Sequence, residues 1–153
     1  MKAKTIGYFK NIQNVGYCKA AADLKVGMGV MLDRATKTAN LPASADDAKK
    51  CHRIVSNIND KPEMHNFSEA VVVKKDEYVR ADDLLTAANM EMEFADDEIN
   101  GGVDSVAVGD TLVFGTDGLI VKSDAVTGYQ VYFEVIEKTA YMGKGILAVV
   151  RVQ

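Results

Sequence analysis

The C-terminal third of this 153-residue chain consists of short runs of β-branched and aromatic residues separated by glycine-containing turns. Thr111–Phe114 and Leu119–Lys122 flank the sequence Gly-Thr-Asp-Gly, which predicts a β-hairpin because glycine tolerates the positive φ of tight turns. Tyr129–Glu137 places alternate apolar residues on one face, as a half-buried strand does. Gly145–Val152 is apolar on both faces, which predicts a strand buried on both sides or lying in an interface.

The N-terminal half contains further strand-forming runs, but they are shorter and less regular. We predict strands within Lys25–Asp33, His52–Ile58 and Glu69–Val73, and a half-exposed strand at Met90–Phe94, where apolar and acidic residues alternate. Ser44, followed three residues later by an aspartate, predicts the N-terminus of a short helical turn that continues to position 50.

Two Val-Gly pairs, Val26-Gly27 and Val108-Gly109, each stand just before an apolar run. A glycine at such a corner allows the chain to turn sharply into a sheet. With about eight short strands at close spacing and almost no helix, the sequence predicts an all-β fold, a small β-barrel or sandwich with short helical turns. We assign the β-barrel domain to residues 25–153.

Residues 1–24 lack a lasting period of either 2 or 3.6, and two interpretations compete for them. The segment is either the first strand of the barrel or an extended N-terminal arm that anchors on another subunit. Tyr8, Phe9 and Tyr17 are the candidate protein-binding residues of this segment, because tyrosine and phenylalanine are favoured anchors in protein interfaces.

Composition excludes several classes of partner. The formal charge is −4 and no basic stripe is present, so we expect no nucleic-acid partner. No run of 18 apolar residues exists and the first residues lack the apolar region of a secretory signal, so we expect no membrane partner. Two cysteines, Cys18 and Cys51, are too few for a disulfide framework and predict free thiols in a reducing compartment.

A search for catalytic, cofactor and metal motifs predicts none of these sites. Cys51-His52 is an isolated pair thirteen residues before His65, which is not the spacing of a metal site. Gly27-Met28-Gly29 lacks the third glycine of a dinucleotide-binding loop, and the run Asp96-Asp97-Glu98 lacks the alternating order of a calcium loop. The expectation is a protein that is not an enzyme and carries no cofactor.

The order of these motifs resembles the small β-rich decoration (cement) proteins of tailed-bacteriophage capsids. The resemblance covers Gly27–Pro42, with its Thr-x-Thr-Ala-x-Leu-Pro turn, and Val106–Val152, which ends in Gly-x-Leu-Ala-Val-Val-Arg-Val. It implies a structural virion protein that binds the outer surface of an assembled capsid and stabilises contacts between major capsid subunits. It also implies a homotrimer when bound, located on the capsid exterior after assembly in the host cytoplasm.

Two alternatives to a decoration protein remain open at this stage. One is a tail or head-fibre barrel protein, and the other is a small β-barrel hydrolase or ligand-binding module. A homo-oligomer is also expected from the residues themselves, because a barrel of this size would leave the apolar faces of Met90–Phe94 and Gly145–Val152 in need of a cover.

Overall fold

The computed structural model describes residues 1–4, 12–57 and 71–153, which fold into a closed five-stranded barrel and a six-stranded sheet. The strands are β1 (Lys2–Ala3), β2 (Asn14–Ala20), β3 (Leu24–Lys25), β4 (Gly29–Asp33), β5 (Thr38–Asn40), β6 (Arg53–Val55), β7 (Val72–Val73), β8 (Tyr78–Asp83), β9 (Glu91–Ala95), β10 (Thr111–Phe114), β11 (Ile120–Lys122), β12 (Val131–Thr139) and β13 (Gly145–Val152). The all-β prediction is confirmed. Of the two predicted architectures, barrel or sandwich, the closed five-stranded sheet is a barrel.

The barrel has the strand order β2-β5-β4-β6-β8, with β8 pairing back to β2. β2 runs parallel to β5 and antiparallel to β8, and the other neighbours in the barrel are antiparallel. Within the segment 1–24, residues 14–20 form strand β2 of the barrel. The side chains of Cys18 and Ala20 point into the barrel and are fully buried. Tyr8 and Phe9 lie outside the described residues.

The C-terminal runs form the six-stranded sheet, in the order β1-β9-β13-β12-β10-β11. The predicted hairpin is present as β10 and β11, with Phe114 paired to Ile120. β13 lies between β9 and β12 and is buried on both faces along most of its length, as its sequence predicted. The chain itself therefore covers the apolar faces of β9 and β13, and Met92 and Phe94 are fully buried.

Short helical turns connect the strands, as predicted. Helix α1 (Ala45–Lys50) begins at Ser44, whose Oγ accepts a hydrogen bond of 3.1 Å from the backbone N–H of Asp47. One-turn 3₁₀ helices follow later in the chain, at Leu84–Thr86, Asp96–Glu98, Val103–Ser105 and Tyr141–Gly143. No helix among the described residues has the length and apolar character needed to cross a membrane.

The barrel and the sheet share a hydrophobic core centred on three phenylalanines. Phe133 makes edge-to-face contacts with Phe94 and Phe114, at ring-centroid distances of 5.1 and 5.4 Å. Gly29 of the barrel passes so close to the Phe114 ring that a Cβ would lie 2.5 Å from its Cδ1. At this crossing only glycine allows the barrel to approach the sheet.

The glycines of the two Val-Gly corners have nearly the same φ. Gly27 has a φ of 94° and Gly109 a φ of 91°, values that glycine adopts without the steric cost of a Cβ. Gly27 separates β3 from β4, so the single strand predicted over Lys25–Asp33 is divided in two.

One prediction about β9 was wrong. Its alternating sequence predicted a half-exposed strand, but Glu93 is buried at 7% exposure. β9 is an inner strand, covered by β1 at its open edge, and Lys4 Nζ lies 3.3 Å from Glu93 Oε2. The paired lysine allows the carboxylate to be buried, because a buried charge requires an opposite charge or hydrogen bonds.

Candidate partner-binding surface

Tyr17 is the one predicted anchor that the described residues include, and it is exposed. It lies in β2, where the buried residues Cys18 and Ala20 alternate with the exposed residues Tyr17 and Lys19. A β-bulge between Val15 and Cys18 precedes this alternation and sets which side chains face outward. Tyr17 is 44% exposed, so its ring is on the outer surface of the barrel and not in the core.

A second exposed tyrosine, which the sequence analysis did not identify, lies on the neighbouring strand. Tyr78 is the first residue of β8 and is 62% exposed. The register of the barrel pairs it with Lys19, whose Nζ lies 5.5 Å from the centroid of the Tyr78 ring. This distance and geometry are those of a cation–π contact, which places an ammonium group against the aromatic face.

Tyr17 and Tyr78 line a groove with a volume of about 490 Å³. We call it the tyrosine–lysine groove. The residues that line it come from the end of β2, from the turn that leads into β5 and from the turn that leads into β8. They are Tyr17, Lys19, Ala20, Ala21, Thr36, Lys37, Thr38, Lys75, Asp76 and Tyr78. The volume is within the range of clefts that take a small ligand or a few residues of a peptide.

The β4–β5 turn forms one wall of the groove, and the side chain of Asp33 holds this turn in place. Its Oδ1 accepts hydrogen bonds from the backbone N–H groups of Ala35 and Thr36, at 2.8 and 3.2 Å. Hydrogen bonds from the side chain and backbone of Thr36 and the backbone of Ala35 hold the pKa of the Asp33 carboxyl below its ordinary value. Thr36 Oγ1 in turn lies 2.7 Å from Thr38 Oγ1.

Asp23 fixes the opposite wall. Its Oδ2 accepts a hydrogen bond from Lys74 Nζ at 2.7 Å, and its Oδ1 accepts one from the backbone N–H of Lys75 at 3.0 Å. The Lys74 side chain and the Lys75 backbone hold the pKa of the Asp23 carboxyl below its ordinary value. The backbone N–H of Asp76 donates to the carbonyl of Ala20 at 2.9 Å, which ties this turn to β2.

Three lysines give the groove positive charge. Lys19, Lys37 and Lys75 are exposed, and none of their ammonium groups forms an ion pair with another described residue. Three lysines and one aspartate, Asp76, therefore line this surface of an acidic chain. Tyrosine rings beside ammonium groups and threonine hydroxyls can bind a protein surface through apolar contact and charge together.

The adjacent carboxylates Asp82 and Asp83, at the end of β8, do not line this groove. Asp82 and Asp83 face different arginines: Asp83 Oδ2 lies 2.8 Å from an Arg53 nitrogen, and Asp82 Oδ1 lies 3.7 Å from Arg80 Nε. Among residues 1–4, 12–57 and 71–153, no group of three or more His, Cys, Asp or Glu side chains is arranged to hold a metal ion. His65 lies outside these ranges.

Both cysteines are free and fully buried, in different hydrophobic clusters. Burial raises the pKa of the Cys51 thiol to about 12 and, to a smaller extent, also raises that of Cys18. We expect a thiol reagent to react slowly with the folded protein and to find two thiols after denaturation without reductant. A denatured sample with no reactive thiol would show that the cysteines are paired.

Comparisons of this chain with models of protein families, with curated proteins and with solved structures find no match.

Proposed function

We propose that this chain is a structural protein of a tailed-phage virion that binds the outer surface of the assembled capsid and stabilises contacts between major capsid subunits. In this role it is a binding protein and not an enzyme. Two arguments support the proposal: the resemblance of Gly27–Pro42 and Val106–Val152 to decoration proteins, and the tyrosine–lysine groove on the barrel.

The groove is the observation on which the proposal depends most. Two tyrosines with large exposed areas lie on adjacent strands of a closed barrel, and Lys19, which pairs with Thr38 on one side and Tyr78 on the other, holds the backbone beside them. Such a surface presents its anchors in a fixed arrangement, so little conformational entropy is lost when a partner binds. This is the property that a protein needs in order to hold a repeated lattice.

Trimerisation on the capsid is part of the proposal and depends on the resemblance alone. The argument from uncovered apolar faces no longer supports it, because the chain buries the faces of β9 and β13 itself. A trimer on the lattice would then form through contacts between subunits that the capsid brings together. The location on the capsid exterior is proposed on the same grounds.

The experiment is co-sedimentation of the purified chain with capsids of the phage that encodes it. We expect saturable binding at a fixed ratio to the major capsid subunit. Tyr17→Ala or Tyr78→Ala should weaken binding by about 30-fold, because truncating a central aromatic anchor commonly costs about 2 kcal/mol.

Tyr129→Ala is the matched control, since Tyr129 lies in the loop before β12, next to the six-stranded sheet, and does not line the groove. It should leave capsid binding unchanged. A chain that stays in the supernatant at all concentrations, or that is found only inside the shell, would contradict the proposal.

A further inference from the structure

We propose that the tyrosine–lysine groove binds an extended segment of its partner that is rich in aspartate and glutamate. The inference rests on the proposed function, in that it takes the partner to be a protein. It goes further by stating the chemistry of the surface that the groove recognises.

Charge complementarity is the first argument. The chain has a net charge of −4, and most lysines outside the groove whose side chains the structure describes form ion pairs within it, such as Lys74 with Asp23, Lys122 with Asp110 and Lys144 with Asp104. The groove differs in that it groups three lysines that have no carboxylate partner among the described residues. Carboxylates of a partner would supply the missing opposite charges.

The backbone around the groove determines how a segment can be held. The N–H of Ala20 donates to the carbonyl of Glu77, and the N–H of Ala21 donates to the carbonyl of Ala39. Because β2 already has a neighbour on each side, a partner cannot add to the barrel as a further strand. Recognition must therefore occur through the side chains, with the small alanines forming the floor of the groove.

The position of Lys19 favours a carboxylate as the group that is bound. Its ammonium lies against the Tyr78 ring, and no carboxylate of the described residues forms an ion pair with it. A cation–π contact leaves the other donors of an ammonium group able to form hydrogen bonds. An acidic side chain could thus pair with Lys19 while its own methylene groups pack on the tyrosine.

The borders of the groove favour an acidic protein segment over a nucleic acid. Asp76 lines the groove, and Asp33 and Asp23 anchor the two turns that form its walls. A single-stranded nucleic acid needs a basic path that follows its phosphate backbone over several nucleotides. Here such a path would bring phosphates close to carboxylates, whereas a short acidic segment can place its charges on the lysines alone.

The test uses the full chain and a short fluorescently labelled peptide of Asp, Glu and Gly, with binding followed by anisotropy. The comparison probes are the same peptide with Asn and Gln replacing the acids, and a labelled thymidine oligonucleotide of equal charge. We expect the acidic peptide to bind and the neutral peptide not to bind. Binding should weaken between about 0.1 and about 1 M salt, where the Debye length falls from about 10 to about 3 Å.

Two groove variants locate the site. Lys19→Glu combined with Lys75→Glu should weaken peptide binding by at least about tenfold, because like charges then face the acidic segment. Tyr78→Ala tests the aromatic contribution without a change of charge. Lys50→Glu reverses a single charge outside the groove and is the control, since Lys50 is exposed at the end of α1 and does not line the groove. Thermal unfolding of each variant verifies that the barrel is intact.

The outcomes distinguish a failure of this inference from a failure of the proposed function. Equal binding of the acidic and neutral peptides, tighter binding of the oligonucleotide, or acidic-peptide binding unaffected by the groove variants would overturn the inference. If the chain binds capsids but not the acidic peptide, the inference is wrong and the proposed function stands. If the peptide binds through the groove but the chain does not bind capsids, the preference for acidic segments stands and the proposed function is wrong.

Discussion

Deletion of residues 1–20 is expected to abolish cooperative unfolding of the barrel. β2 (Asn14–Ala20) pairs with β5 on one side and β8 on the other, so its loss opens the barrel and leaves two unpaired strand edges. It also removes the fully buried side chains of Cys18 and Ala20 from a core cluster. The combined loss exceeds what a domain with about 5–15 kcal/mol of stability can tolerate.

Near-ultraviolet circular dichroism and thermal unfolding measure the effect of this deletion. Tyr17→Ala is the control, because it removes an exposed ring of the same strand and leaves the buried residues and the strand pairing in place. It should unfold close to the temperature of the intact chain. If the truncated chain kept an unchanged cooperative transition, the barrel would not depend on β2.

Phe133→Ala is expected to cause the largest loss of stability of any single truncation in the core. The ring is fully buried on β12 and contacts both Phe94 and Phe114, so its removal leaves a cavity in the core beneath the six-stranded sheet. Truncation of a buried phenylalanine commonly costs about 3–5 kcal/mol. For a chain of this length the melting temperature should fall by about 2–4 °C per kcal/mol.

Denaturant unfolding of Phe133→Ala gives the change in free energy directly. Ile136→Ala on the same strand is the control, because Ile136 lies at the bulge of β12 and is 39% exposed. Its truncation should cost much less. Equal losses in the two variants would show that the contacts among the three phenylalanine rings add nothing to stability beyond what a partly exposed side chain of the same strand contributes.

Local features of the fold followed directly from the sequence. The hairpin of β10 and β11 has its Asp-Gly turn where predicted, and Ser44 caps the helix that it was expected to cap. These features depend on residues a few positions apart, whose conformational preferences act without help from the rest of the chain. The alternation in β12 likewise predicted its buried face, with Phe133 at its centre.

Features that depend on long-range pairing could not be predicted in the same way. Tyr17 was identified as a candidate anchor, but its proximity to Tyr78 follows from the closure of the barrel, which pairs β2 with β8. The sequence did contain one signal for this surface, the spacing of two between Tyr17 and Lys19 and between Tyr78 and Arg80. This spacing places each pair on one face of its strand, but it does not determine which strands are neighbours. The burial of Glu93 depends in the same way on β1, which is distant in sequence.

A cryo-electron microscopy map of capsids saturated with this chain is the most direct test of its proposed role. We expect density for the chain on the outer surface of the capsid, with the tyrosine–lysine groove facing the shell. Tyr17 and Tyr78 should contact an acidic segment of a capsid subunit. Capsids without density for the chain, or a bound chain whose groove faces the solvent, would contradict it.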